Sequence, residues 1–165
     1  MKISDNGINI LKHFEGCVKI GDKHIVYDDQ TGKPVNSIEP LPRGATIGYG
    51  HLIRPGEEFK NGISEPHATE LLRNDIAMAE RSVQDNIAVP LSQNQFDALV
   101  SLAYNIGAKN FAASTVVKYI NDPNFHSSIY PNLESAWKAW NKSGGKKMLG
   151  LINRRNQEFE LFCKK

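Results

Sequence analysis

The chain reads as an α+β protein, mainly α, in which a small β-rich lobe and a helical lobe are joined by a long helix. Three observations carry that reading. A short amphipathic helix opens the chain, residues 17–63 are dense in turn formers and short β-branched or aromatic pieces, and from residue 64 onward apolar residues recur at helical spacings. At 165 residues and 40% hydrophobic composition, the polymer can bury a core as one domain, 1–165.

In the first helix, 4–16, Ser4 is the cap, Ile3 can staple onto Ile8, and Ile8, Leu11 and Phe14 share a face until Gly16 ends it. Ile25-Val26-Tyr27 and Thr46-Ile47 then alternate with turn residues such as Thr31-Gly32-Lys33-Pro34, Pro40, Pro42 and Arg43-Gly44. They predict a small irregular sheet within a lobe of about 17–63. Ser64 caps a helix of about 64–88 that tolerates Pro66 in its first turn. Its stripe is Ala68, Leu72, Ile76, Ala79, Val83 and Ile87, and it spans roughly 30 Å at 1.5 Å per residue.

The helical lobe, about 89–165, begins where Pro90 interrupts. Ser92-Gln93-Asn94-Gln95 forms a capping box ahead of Phe96, Leu99, Val100, Ala103 and Ile106, with Gly107 as the stop. Ser114 caps a short helix through Ile120, which Asn121-Asp122-Pro123 breaks. Leu133, Ala136, Trp137 and Trp140 predict another helix, Ser143-Gly144-Gly145 a loop, and Leu151 to Phe162 a final helix.

Composition excludes several functions. Lys and Arg number 20 against 18 Asp and Glu, and a net charge of +2 lacks the dense basic patch of a nucleic-acid binder. Met1-Lys2-Ile3-Ser4-Asp5 is too polar for a secretory leader and no run of eighteen apolar residues occurs. The expectation is a chain made in the cytoplasm without stable membrane insertion. Cys17 and Cys163 are too few and too far apart for a zinc framework and read as free thiols. His51 has no partner at metal-ligand spacing, so it reads as a packing or salt-linked residue, and no metal is expected.

Glu15 falls in the last turn of the first helix, where unpaired carbonyls and the negative end of the helix dipole disfavour an ionised carboxylate. That placement suits a general acid. Asp29 lies in turn-rich chain where water and backbone amides keep a carboxylate charged, and Asp28, Asp22 and Glu39 meet the same description. One carboxyl that holds its proton and one that stays charged are what glycoside cleavage requires. Gly48 and Gly50 flank Tyr49, where glycine allows positive φ or close approach to a substrate as readily as a plain turn. Tyr104 beside Asn105 offers a ring and an amide to a sugar, or packs into the core, while Trp137 and Trp140 read as core.

Phe14-Glu15-Gly16, Tyr27-Asp28-Asp29 and Thr46-Ile47-Gly48-Tyr49-Gly50-His51 together resemble the signature of the phage-type lysozymes, a family of glycoside hydrolases. Tyr104-Asn105-Ile106-Gly107 with Asn110-Phe111 and Ser114-Thr115 resembles the family's helical-lobe motif, and Gly144-Gly145 with Gly150-Leu151-Ile152-Asn153-Arg154-Arg155 its carboxy-terminal one. The likeness spans nearly the whole chain and implies a lysozyme-like fold. It also implies a muramidase that hydrolyses the β-1,4 bond between N-acetylmuramic acid and N-acetylglucosamine without a cofactor. Residue by residue, it makes Glu15 the proton donor and Thr46 the hydroxyl that orients the attacking water. Asp29, two positions after Tyr27, becomes the second carboxylate in preference to Asp28.

The resemblance further implies a monomeric endolysin that collects in the host cytoplasm, depends on a holin, and then reaches the periplasm and the peptidoglycan glycan strands. Thirteen residues separate Glu15 from Asp29 and sixteen separate Asp29 from Thr46, more than the family's usual spacing. Loops inserted in a β lobe cost little entropy, and Glu39, in the second insertion, is a further candidate for the cleft. Arg154 can reach Glu15 if the last helix packs beneath the first, or else faces solvent. The alternative functions are a lytic transglycosylase and a non-catalytic glycan-binding or toxin module on the same fold.

Overall fold

In the computed structural model, which describes residues 1–35, 41 and 43–164, the first helix α1 runs Asp5–Glu15. Glu39, Pro40 and Pro42 lie outside the described residues. Ser4 caps α1 by accepting the Gly7 N–H at 3.0 Å. Gly16 closes it in the left-handed region, φ 66, with its N–H donating to the Lys12 carbonyl at 3.0 Å.

The chain forms two compact units, Ile8–Asp75 and the pair Met1–Gly7 with Ile76–Lys165. Their borders fall inside helices, within α1 and within α2, Glu65–Asn86. Ser64 accepts the His67 N–H at 3.4 Å at the start of α2, and Pro66 sits in the first turn, where the amides have no intrahelical acceptor.

In the unit Ile8–Asp75, β1 (Lys19–Ile20) and β2 (Lys23–His24) form a hairpin. Strands β3 (Tyr27–Asp28), β4 (Ala45–Ile47) and β5 (His51–Leu52) form an antiparallel sheet with β4 in the centre. The register pairs Tyr27 with Thr46 and Thr46 with Leu52. Directly opposed residues project to one side, so these three share a face. Ile8, Leu11, Val26, Ile47, Ile63 and Leu72 of this unit are buried, each worth about 1.5–3 kcal/mol of burial.

In the other unit, α3 (Gln93–Ile106) has both hydrogen bonds of the Ser92/Gln95 capping box, and the Gly107 N–H closes it on the Ala103 carbonyl. Ser114 caps α5 (Thr115–Asn121), and Asn132 caps α6 (Leu133–Lys138). Helix α7 runs Leu149–Cys163 and packs chiefly on α3. Helix α4 (Ala108–Ala112) has no counterpart in the sequence reading, because five residues with Phe111 as sole buried anchor are too short to show a period.

Two further expectations are corrected. The helix expected through Trp140 ends at Lys138. The loop expected at Ser143-Gly144-Gly145 is the turn of a hairpin between β6 (Lys142–Ser143) and β7 (Lys146–Lys147), with both glycines at positive φ, 55 and 78. That pattern is the two-residue turn whose twist matches paired strands.

The α3/α7 interior holds charge as well as hydrocarbon. Arg154 and Arg155 are buried, not solvent-facing. The Glu158 carboxylate accepts from Arg154 at 3.0 Å, Arg155 at 3.1 Å, Ser101 at 2.7 Å and the Trp137 indole at 3.2 Å. Trp137 is fully buried, as its reading as core required.

Candidate active site

Glu15 is the last residue of α1, half-buried, at the helix end that the apolar spacing had indicated. A side-chain carbon placed on Gly50 would lie 3.7 Å from Glu15 Oε2, so the Gly50 backbone borders the carboxyl directly. Gly50 has φ 86 and Gly48 φ 64, so the Gly48–Gly50 turn uses conformations that other residues rarely adopt. The glycines therefore serve both readings at once, a turn and a close approach.

Tyr27 ties that turn to the sheet. Burial pushes its hydroxyl above the ordinary tyrosine value, the negative charge of Asp29 adds to the rise, and a hydrogen bond from the Gly50 backbone opposes it. Glu15 adds a smaller contribution of the same sign as Asp29. The phenol thus sits within electrostatic reach of both carboxylates. Sequence reasoning used Tyr27 only as a motif marker and gave it no role; its place two residues before Asp29 was the available signal.

Asp29 and Thr46 meet at one carbonyl. The Thr46 hydroxyl donates to Gly44 O at 2.9 Å, and the Asp29 N–H donates to the same oxygen at 3.3 Å. This continues the β3–β4 register by one residue, so Tyr27, Asp29 and Thr46 line one face of the sheet. With its proton committed to Gly44, the Thr46 oxygen presents lone pairs, which suits it to accept a hydrogen bond from a water. Asp29 is exposed, and Thr46 is almost wholly buried at 2%.

Asp28 is occupied otherwise. Its Oδ1 accepts the N–H groups of Gln30 at 2.8 Å and Thr31 at 3.0 Å, and its carbonyl accepts the Gly32 N–H at 2.7 Å. It holds the turn after β3 in the manner of a capping aspartate.

His51, next to Gly50, is salt-linked: Nδ1 lies 2.8 Å from Asp75 Oδ2 and Nε2 3.0 Å from Glu57 Oε2. The Arg54 backbone N–H holds the Glu57 carboxyl below its usual range; burial opposes it, and His51 adds to the lowering. Among the described residues no group of three or more His, Cys, Asp or Glu is arranged to hold a metal ion. Cys17 and Cys163 are exposed free thiols.

Tyr104 and Asn105 stand at the end of α3 in the other unit. Tyr104 is half-buried, and Asn105 is exposed with its Oδ1 accepting from Arg155 at 2.8 Å. Asn105, Asn110, Trp140 and Lys142 line an open groove of about 340 Å³ in that unit, a mixture of amides and an indole that fits a sugar. Trp140, read from sequence as core, is half-buried at this groove because it lies beyond the end of α6. Within its own unit, Arg154 bonds Glu158 and Ser101.

The α+β frame, mainly helical, with Glu15 at a helix end and Asp29 and Thr46 at the sheet, is lysozyme-like. Residues 12–158 match the model of the phage lysozyme family, and the chain belongs to that family. It is 38% identical to the endolysin of Bacillus phage B103 over 98% of this chain and 54% of that protein. The chain thus spans about half the length of its Bacillus phage relatives. The fold is similar to a P22 lysozyme structure, with a TM-score of 0.72 and 34% identity over 99% of both chains. It is also similar to an endolysin from Escherichia coli O157:H7 phage FAHEc1, with a TM-score of 0.75 and 32% identity over 99% of this chain and 94% of that one. No helix among the described residues is long and apolar enough to cross a membrane.

Proposed function

We propose that this chain is an endolysin muramidase that hydrolyses the β-1,4 bond between N-acetylmuramic acid and N-acetylglucosamine in bacterial peptidoglycan. The observation that carries the reading is the convergence of Asp29 and Thr46 on the Gly44 carbonyl, on the same sheet face as a tyrosine that senses both Asp29 and Glu15.

Glu15 gives its proton to the glycosidic oxygen as the bond to the anomeric carbon breaks. A water whose O–H donates to the Thr46 oxygen attacks that carbon and passes its own proton to Asp29, whose negative charge also stabilises the oxocarbenium-like centre. The products are a reducing sugar and a free hydroxyl, and exchange with solvent restores Glu15 and Asp29. Attack by water opposite the leaving group inverts the anomeric carbon. Tyr104 and Asn105 contact the glycan strand. The enzyme acts as a monomer, collects in the host cytoplasm, and reaches the periplasm and wall once a holin opens the membrane.

The test is release of reducing ends from purified peptidoglycan by wild type and by Glu15→Gln, which keeps shape and removes the transferable proton. Reducing ends from wild type and none from the variant, with nearly equal melting temperatures, are the expected results. Anhydro-muramic ends would instead establish a lytic transglycosylase, and binding without cleavage a non-catalytic module.

A further inference from the structure

Glu65, the first residue of α2, collects four donors from four separate segments of the unit Ile8–Asp75. Its Oε1 accepts from Lys12 of α1 at 2.9 Å and from the Tyr49 hydroxyl at 2.7 Å. Its Oε2 lies 2.9 Å from Lys19 Nζ of β1 and 2.7 Å from His24 Nε2 of β2. Burial alone would raise this carboxyl, but the hydrogen bonds from Tyr49, His24, Lys19 and Lys12 together hold it well below the usual carboxylate range. An ionised group with every lone-pair direction engaged is a poor proton carrier and a strong anchor.

Two of its partners lead to Glu15. Lys12 precedes Glu15 by three residues on α1, which places the two on neighbouring positions of one helix face. Its ammonium also lies 5.2 Å from the centre of the Tyr49 ring. Tyr49 in turn precedes Gly50, the residue whose backbone borders Glu15 Oε2 and hydrogen-bonds Tyr27. The Tyr49 ring is fixed from another side by the buried His24, whose ring centre lies 5.0 Å away in an edge-on arrangement. Displacing the Tyr49 hydroxyl therefore moves the wall against which the acid rests.

We propose that Glu65 is a positioning residue for Glu15, acting through Lys12 and through the Tyr49–Gly50 turn. This rests on the reading of Glu15 as proton donor. Glu65→Gln keeps the size of the side chain and removes the charge that gathers the two lysines; Tyr49→Phe keeps the ring and removes one donor.

Each variant is expected to lower kcat on purified peptidoglycan by about tenfold with KM within about twofold, since a displacement of under an ångström at the reacting group has that order of effect. The double variant is expected to be no slower than the slower single one, because both changes release the same turn. In 13C- and 15N-labelled protein, the Glu15 carboxyl and Gly50 amide resonances should shift in both single variants. A lowered melting temperature with unchanged kcat and unmoved Glu15 and Gly50 resonances would overturn the proposal, as would fully additive losses in the double variant. If Glu65→Gln fails to fold, Tyr49→Phe carries the same readouts. If wild type releases no reducing ends, the muramidase reading fails, and the resonances alone still decide whether Glu65 positions Glu15.

Discussion

Replacing Asp28 and Asp29 one at a time by asparagine separates a carboxylate that holds a turn from one that supplies charge. In Asp28→Asn the amide oxygen can still accept the Gln30 and Thr31 N–H groups, but as a neutral acceptor. A hydrogen bond to a charged group is worth about 1.5–3 kcal/mol and a neutral one about 1, and both bonds are solvent-exposed, so the net loss is about 1 kcal/mol. For a chain of this length that lowers the melting temperature by about 2–4 °C. The Asp28 carboxylate and carbonyl are engaged by Gln30, Thr31 and Gly32 of the turn, so turnover should stay within about twofold of wild type.

Asp29→Asn behaves in the opposite way. The Asp29 contact to Gly44 runs through its backbone N–H, which the substitution leaves in place, and the exposed side chain is worth within about 0.5 kcal/mol of stability. General-base assistance contributes about 10²–10⁴ in rate. Its loss should cut release of reducing ends at least about 100-fold, or about 2.7 kcal/mol of barrier at 1.36 kcal/mol per tenfold. The two measurements are initial rates on purified peptidoglycan and a thermal melt of each variant. Asp28→Asn losing more than about tenfold in rate while Asp29→Asn keeps near-wild-type turnover would refute the assignment.

Thr46→Ala removes the hydroxyl held by Gly44 and should lower kcat at least about tenfold while costing about 1 kcal/mol of stability; a steady-state assay paired with a melt checks both. Glu158→Ala leaves Arg154 and Arg155 buried without their shared carboxylate and should cost about 3–5 kcal/mol, a fall in melting temperature on the order of 10 °C; a drop below about 3 °C would mean that the cluster contributes little. Glu65, whose folded-state carboxyl is held below its unfolded value of about 4.3, contributes stability that is complete above that value and is lost as pH falls toward the folded one. Chemical denaturation should therefore show wild type more stable than Glu65→Gln at pH about 6, with the gap narrowing below pH about 5; a gap that widens on acidification contradicts the sign.

Local signals proved the most legible. The Ser4 and Ser92 caps, the closing glycines at 16 and 107 and the stripe along α2 are each specified within one or two helical turns, and the helices begin and end close to where those residues sit. Features that depend on few residues were harder to read: α4 has one buried anchor, and the β6–β7 turn was written in Gly144-Gly145 but seen only as a loop. Cooperative contacts were not visible at all. Glu65 reads as an unremarkable acid at a helix start, and its four donors come from positions 12, 19, 24 and 49. Arg155 and Glu158 are buried with Arg154, and the Glu158 carboxylate accepts from both arginines, a serine and an indole.

The sequence by itself determined the helix-end location of Glu15, the strand carrying Thr46 and the family to which the chain belongs, because helix termination, strand alternation and motif order are properties of neighbouring residues. Only the tertiary structure distinguishes the surroundings of Asp28 and Asp29. The β3–β4 register aligns residue 29 with residue 44, whose carbonyl the Asp29 N–H shares with the Thr46 hydroxyl, and turns residue 28 into the anchor of a bend. Pairing register is set by contacts between strands sixteen or more residues apart, and no local pattern along one strand contains it.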